Sequence, residues 1–215
     1  MPVISQWATP WHGLEAVLNI WNVCLGIAVF FLARVLAILY FINNIDDESI
    51  RSQSWNRLLP ESIAFLLFFL AFLAHWLIAD GFAVNPDTQE IFMQPYKYAL
   101  NLLEMPYVTS ILLVGVILVL WGIGKTYLNP SYREGIWFSG TGTVLTVLAL
   151  LLCAGWNHTA YYPSITDLQS SLTLQNSCSS PFTLKVMSYV SILIPFVLAY
   201  IFYAWRAIDL KPGKK

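Results

Sequence analysis

The stretch FFLARVLAILYFINNIDD, residues 30–47, decides how the chain is read. It lies in an apolar run over residues 23–42 that is broken only by Gly26 and Arg34. About 20 such residues, rising 1.5 Å each, cross a hydrocarbon core. The run therefore predicts a membrane helix with a single charge, Arg34, near its middle. Beyond it the chain leaves the apolar region through a polar and acidic collar of Asn43, Asn44, Asp46, Asp47 and Glu48.

The rest of the chain has the same character. Of 215 residues, 58% are apolar and 11% charged, against about a quarter charged in soluble domains. Mean hydropathy is +0.64. The pattern predicts an all-α integral membrane bundle, one domain over 1–215, with spans at about 21–42, 60–82, 106–124, 136–156 and 183–205. Pro60 is placed in the first turn of the second span, where its missing N–H costs nothing. Pro195 lies inside the fifth and predicts a kink. Gly140, Gly142 and nearby threonines suit close helix packing in the fourth. Trp7, Trp11 and Trp21 read as interfacial anchors. Residues 43–59, 83–105, 125–135 and 157–180 read as connections, the second holding a short interfacial helix over 96–104.

Basic residues set the orientation. Arg51, Arg57, Lys125, Arg133, Arg206, Lys211, Lys214 and Lys215 fall on one side; Lys97 and Lys185 fall on the other. The 43–59 and 125–135 connections and the C-terminus are thus expected in the cytoplasm, with the N-terminus outside. No cleavable signal peptide is read before the first span.

Several function classes drop out. A net charge of −1 argues against nucleic acid as a partner. Cys24, Cys153 and Cys178 form neither a disulfide framework nor a zinc pattern. Gly122-Ile123-Gly124-Lys125-Thr126 fails as a phosphate loop because Val119 stands where the first glycine is needed. Ser139 to Thr143 reads as packing, and Asn157-His158-Thr159 as a sequon arising by chance. No catalytic, cofactor-binding or metal-binding residues are expected.

What remains is a set of candidate intramembrane polar and partner contacts: Arg34, His75, Asn43, Asn44, Asp46 and Asp47. A central arginine is costly in lipid, so Arg34 faces protein or water. Asp46 lies about 18 Å further along a helix, beyond side-chain reach. Glu61, Asp80 and Glu104 are placed near span ends. Two readings stay open for Arg34: an acidic group outside this chain or a cofactor carboxylate, or snorkelling with backbone carbonyls as acceptors. His75 is placed at a similar depth in the second span, as a packed histidine or a haem ligand. The collar is either solvated or meets a basic loop of a partner, since negative charge beside a helix C-terminus is unfavourable.

Four stretches then come together: WHGLEAVLNIWN (11–22), FFLARVLAILYFINNIDDE (30–48), MQPYKYALNLLEMP (93–106) and YYPSITDLQSSLTLQNSCSSPFTLKVMSYV (161–190). In this order they resemble subunit II of the cytochrome bd-type quinol oxidases over nearly the whole chain. The resemblance implies a bacterial inner-membrane complex of the aerobic respiratory chain that oxidises quinol and reduces dioxygen to water. It implies that haems b and d, their ligands and the quinol-binding loop belong to subunit I. This chain would be its haem-free mate, with membrane lipid and a structural quinone as further suggested partners. The five spans match the family's last five. The family's N-terminal four-helix bundle, with acidic residues linked to proton delivery, has no counterpart here, so no residue inherits those roles. The alternative from another class is a small transporter or channel-like protein with a polar path at Arg34 and His75. A third reading is an assembly scaffold.

Overall fold

A computed structural model describes residues 10–11, 13–164 and 167–209. Trp7, His12 and the C-terminal Lys211, Lys214 and Lys215 lie outside the described residues. The chain divides into two compact units, Met1–Leu174 and Gln175–Lys215.

The first unit is built on two helical hairpins. After a 3-10 turn at Leu14–Leu18, α1 runs Ile20–Asn44 and α2 runs Glu48–Ile78. The second hairpin is α4, Pro106–Leu128, with α5, Gly135–Gly155. Ala28, Val35, Leu39 and Ile42 of α1 are buried, at spacings of one or two turns that put them on one helix face. Ala28, Val35 and Leu39 pack with Leu58 and Phe65 of α2 and with Val119 and Ile123 of α4, joining the hairpins. A second cluster, Met105, Val108, Leu112, Ala149 and Cys153, fills the far end of α4 and α5.

The helix that carries the second span starts at Glu48, not at Pro60 as the sequence predicts. Residues 48–59, expected as a charged connection, are its first turns, and Pro60 is inside the helix. Asp47 is the N-cap, and its carboxylate accepts from the Ile50 N–H at 3.0 Å. An acid there suits the positive end of the helix dipole. Replacing Asp47 with alanine is expected to cost about 1 kcal/mol, read as a lower unfolding midpoint in detergent; Asp47→Asn, which keeps the acceptor, should restore most of it.

Between the hairpins lies a cap that the sequence does not announce. Strands β1, Gly81–Val84, and β2, Ile91–Gln94, pair antiparallel, followed by the short helix α3, Lys97–Glu104. The Asn85 side chain accepts from the Asp87 and Thr88 N–H groups and shapes the turn. The segment after α5 returns against this hairpin: Val84 donates to the His158 carbonyl at 2.8 Å, and Ala160 to that of Phe82 at 2.9 Å. Asn157 and His158 reverse the chain there with φ of 53° and 52°. Gln169 imitates a strand neighbour, accepting from Ile91 N–H at 3.0 Å and donating to Ile91 O at 2.8 Å.

The second unit contains α6, Pro181–Asp209. The Ser180 hydroxyl accepts from the Thr183 N–H at its start. Pro195 lies within α6, so the Ser191 carbonyl lacks its helical N–H partner. All five long helices, α1, α2, α4, α5 and α6, are long and apolar enough to cross a membrane.

Candidate functional site

Arg34 has its counter-ion inside this chain. Its Nε donates to Glu61 Oε2 at 2.8 Å, and a terminal guanidinium nitrogen donates to Glu61 Oε1. The two-pronged geometry is the one a planar guanidinium makes best with a carboxylate. This corrects both expected readings, the external acid and the carbonyl acceptors. The cause is the helix boundary. With Pro60 taken as the start of the span, Glu61 falls at its edge. With α2 starting at Glu48, Glu61 lies several turns into the helix and faces the middle of α1.

The pair is asymmetric. Glu61 is buried, with its side chain 8% exposed, while that of Arg34 is 46% exposed. Phe30, one turn before Arg34, has its ring centre 5.7 Å from the guanidinium carbon. The outer edge of the guanidinium is thus open on the surface of the first unit, within a membrane-spanning helix.

His75 does not join this pair. Its ring stacks on Trp21 at 3.9 Å and 6°, and Trp21 stands about 20 Å from Arg34 along α1 at 1.5 Å per residue. The expected similar depth is therefore wrong, and no Arg34–His75 polar path is assembled among the described residues. The stacking is a packing contact between the start of α1 and the end of α2. Among the described residues no three His, Cys, Asp or Glu side chains gather as a metal site.

The collar divides into separate jobs. Asn44 donates back to the Tyr40 carbonyl at 3.1 Å. Asp46 accepts from Arg133 at 2.7 Å. The basic loop expected from a partner is this chain's own turn between α4 and α5. Asp47 caps α2, so its charge sits at a helix start rather than a helix end. Asn43 is half-buried in the last turn of α1.

A polar cluster under the cap has no counterpart among the expected site residues. Asn101 is fully buried. It donates to the Cys153 carbonyl at 2.9 Å and to Thr159 Oγ1 at 2.8 Å, and accepts from Asn157 at 3.1 Å. Lys97, 6% exposed, donates to the Asn157 carbonyl at 3.0 Å. These bonds tie α3 to the end of α5 and the segment after it. Asn157, the sequon residue, is spent on them. The i, i+4 spacing of Lys97 and Asn101 is the signal available in the sequence.

Burial pushes the Lys97 ammonium below its usual range, with Glu104 opposing the shift. A lysine with a lowered folded pKa binds fewer protons folded than unfolded, so its penalty is relieved as pH rises through the folded value toward 10.5. The unfolding midpoint of the wild type, taken relative to Lys97→Met, is therefore expected to climb as pH rises toward 10.5. A flat difference would show that Lys97 keeps an ordinary pKa.

Helices α4 and α5 meet through glycines. A Cβ on Gly142 would stand 2.5 Å from the Gly115 carbonyl oxygen and 2.7 Å from the Val119 nitrogen; one on Gly122 would stand 2.6 Å from the Gly135 oxygen. Ser139 donates across the contact to the Val119 carbonyl at 3.2 Å. Gly140 has open space around it, so of the two expected glycines only Gly142 is at the contact.

The family model for cytochrome bd terminal oxidase subunit II matches residues 3–208, a range that includes all five apolar helices. The chain belongs to that family. Among curated proteins it is 30% identical over 120 residues to the cytochrome bd-I ubiquinol oxidase subunit 2 of Escherichia coli strain K12, and equally so to those of strains CFT073 and O157:H7. The aligned stretch is 55% of this chain and 30% of each relative. As a member of the subunit II family the chain is a multi-pass membrane protein, as its five apolar helices require.

Proposed function

We propose that this chain serves as a haem-free structural subunit of a cytochrome bd-type terminal oxidase, in a complex that oxidises quinol and reduces dioxygen to water. The observation that carries this is the family match along nearly the whole chain. The catalytic partner is a subunit I holding haems b and d, in a bacterial inner membrane of the aerobic respiratory chain; membrane lipid and a structural quinone are further partners of the assembly. The role of the chain is to present packed helices to the haem subunit. Arg34 supports this role: a guanidinium edge left open within a span is better covered by protein than by lipid. Its charge is already balanced by Glu61, so a neutral acceptor on the partner, a carbonyl or hydroxyl, completes it.

The ends carrying the α1–α2 and α4–α5 turns face the cytoplasm. Arg51, Arg57, Lys125 and Arg133 lie at or near that end, while Lys97 belongs to the cap at the other, in line with the excess of basic residues on the inner side. The N-terminus is then outside and the C-terminus inside.

The test is co-expression with a candidate subunit I and purification through a tag on this chain. Co-purified haem b and d absorbance is the expected result. A colourless, monodisperse preparation from cells that make the haem subunit would overturn the reading.

A further inference from the structure

We infer that the β1–β2 hairpin and the returning segment 156–164 form a lid that opens as a unit from α3, and that Glu104 keeps its latch closed by supplying the counter-charge for buried Lys97. Little apolar surface holds the lid. Its own core is Val84, Ile91 and Ala160, with Phe82 and Leu168 packed against it. The short helix α3 is anchored differently. Its Tyr98 stacks on Trp76 of α2 at 4.5 Å, and Tyr98 and Leu102 pack on the Met105 cluster at the end of α4 and α5. Segments with few buried apolar contacts open at a lower free energy than the helices around them.

What closes the lid is polar. The Asn157 carbonyl accepts from Lys97 Nζ, the Asn157 side chain donates to Asn101 and Glu104, and Asn101 donates to Thr159 Oγ1. The hairpin rests on the same helix: a Cβ on Gly81 would stand 2.6 Å from Lys97 Cβ. Asn157 and His158 are held in the left-handed region, with φ of 53° and 52°. Residues other than glycine keep that conformation only where their surroundings enforce it. Releasing the latch lets this backbone relax, which makes the closed and open lids two separate states. The weak point is Lys97, 6% exposed. Glu104, itself exposed, is the charge that offsets its burial, and the Cys153 thiol of α5 is the other titratable neighbour. A buried charge left without its counter-charge is costly, so loss of the Glu104 charge loosens the latch through Lys97. The lid is a property of this chain alone and is independent of the oxidase reading.

Amide hydrogen exchange of the full chain in detergent, read by mass spectrometry, tests this on the wild type, Glu104→Gln, Lys97→Met and the double variant. Glu104→Gln keeps an acceptor for Asn157 and removes only the charge. In the wild type, peptides covering 81–94 and 156–164 are expected to exchange together and faster than those of α4 and α5. Glu104→Gln should speed lid exchange by about fivefold, a modest factor because an exposed carboxylate is screened, and leave α4 and α5 unchanged. In the Lys97→Met background the same substitution should have no effect. Lid and helix peptides that exchange in parallel in the wild type would overturn the separate opening. An unchanged lid rate in Glu104→Gln, or an equal acceleration with methionine at residue 97, would overturn the role of the Glu104 charge.

Discussion

Glu61→Leu is expected to lower the unfolding midpoint of the detergent-solubilised chain by roughly 5 °C, less than the loss of a fully enclosed ion pair because the Arg34 side chain is 46% exposed. The reason is that Arg34 cannot shed its proton. Without Glu61 it remains charged within the span and must find water or a carbonyl. Arg34→Leu is expected to do less harm, because a stranded carboxylate can neutralise itself by taking up a proton. The double variant, leucine at both positions, should recover most of the loss, since an apolar pair of similar volume often replaces a buried ion pair without penalty. Thermal unfolding of the four proteins gives the coupling directly. Additive losses, with the double variant worst, would mean that the two side chains act independently and that the bidentate geometry contributes little.

Gly142→Ala should be among the most damaging single-methyl changes in the chain. The added carbon meets two backbone atoms of α4, at 2.5 Å and 2.7 Å, and backbone cannot rotate away as a side chain can. The helices must move apart, which weakens the contacts of Leu112, Val119 and Ala149 along the seam. A cost of about 2 kcal/mol or more is expected from overpacking. Gly122→Ala should behave similarly. Gly140→Ala is the matched control: nothing lies within 4 Å of its added carbon, and alanine favours helix over glycine, so its stability should be unchanged or slightly raised. Equal effects at residues 140 and 142 would show that glycine flexibility, and not close approach, governs this helix pair.

The membrane class, five spans and family are legible in the sequence because apolar run length and composition sum along the chain. An apolar run of span length needs no partner to be recognised. Sequence and structure part where one local signal has two meanings. Pro60 suits a helix start, but Asp47 caps the helix further upstream and Pro60 is carried inside it. That one boundary moves Glu61 from a span edge to the helix interior and gives Arg34 its partner. The collar turns on the same boundary: Asp47 follows one helix in the sequence but begins the next in the fold. The β1–β2 hairpin escapes notice because strands as short as Gly81–Val84 and Ile91–Gln94 show too little alternation to stand out. It is also held from afar, by Gln169 at a separation of 78 positions from Ile91.

Membrane residence, the course of the helices and family membership all follow from the transfer of apolar surface and from residue order, which are properties of the chain taken locally. What the charges do is a matter of the folded chain. Arg34 answers to Glu61 across a helix hairpin, Asp46 to Arg133 of the α4–α5 turn, and Lys97 to the Asn157 backbone. Each pairing depends on the angular position of two helices or turns, and contacts between residues 27 to 87 positions apart leave no local mark in the sequence. The stretch at residues 30–47 shows both sides of this. Its helix can be read at once, but the meaning of its one charge is set by a residue 27 positions further along the chain.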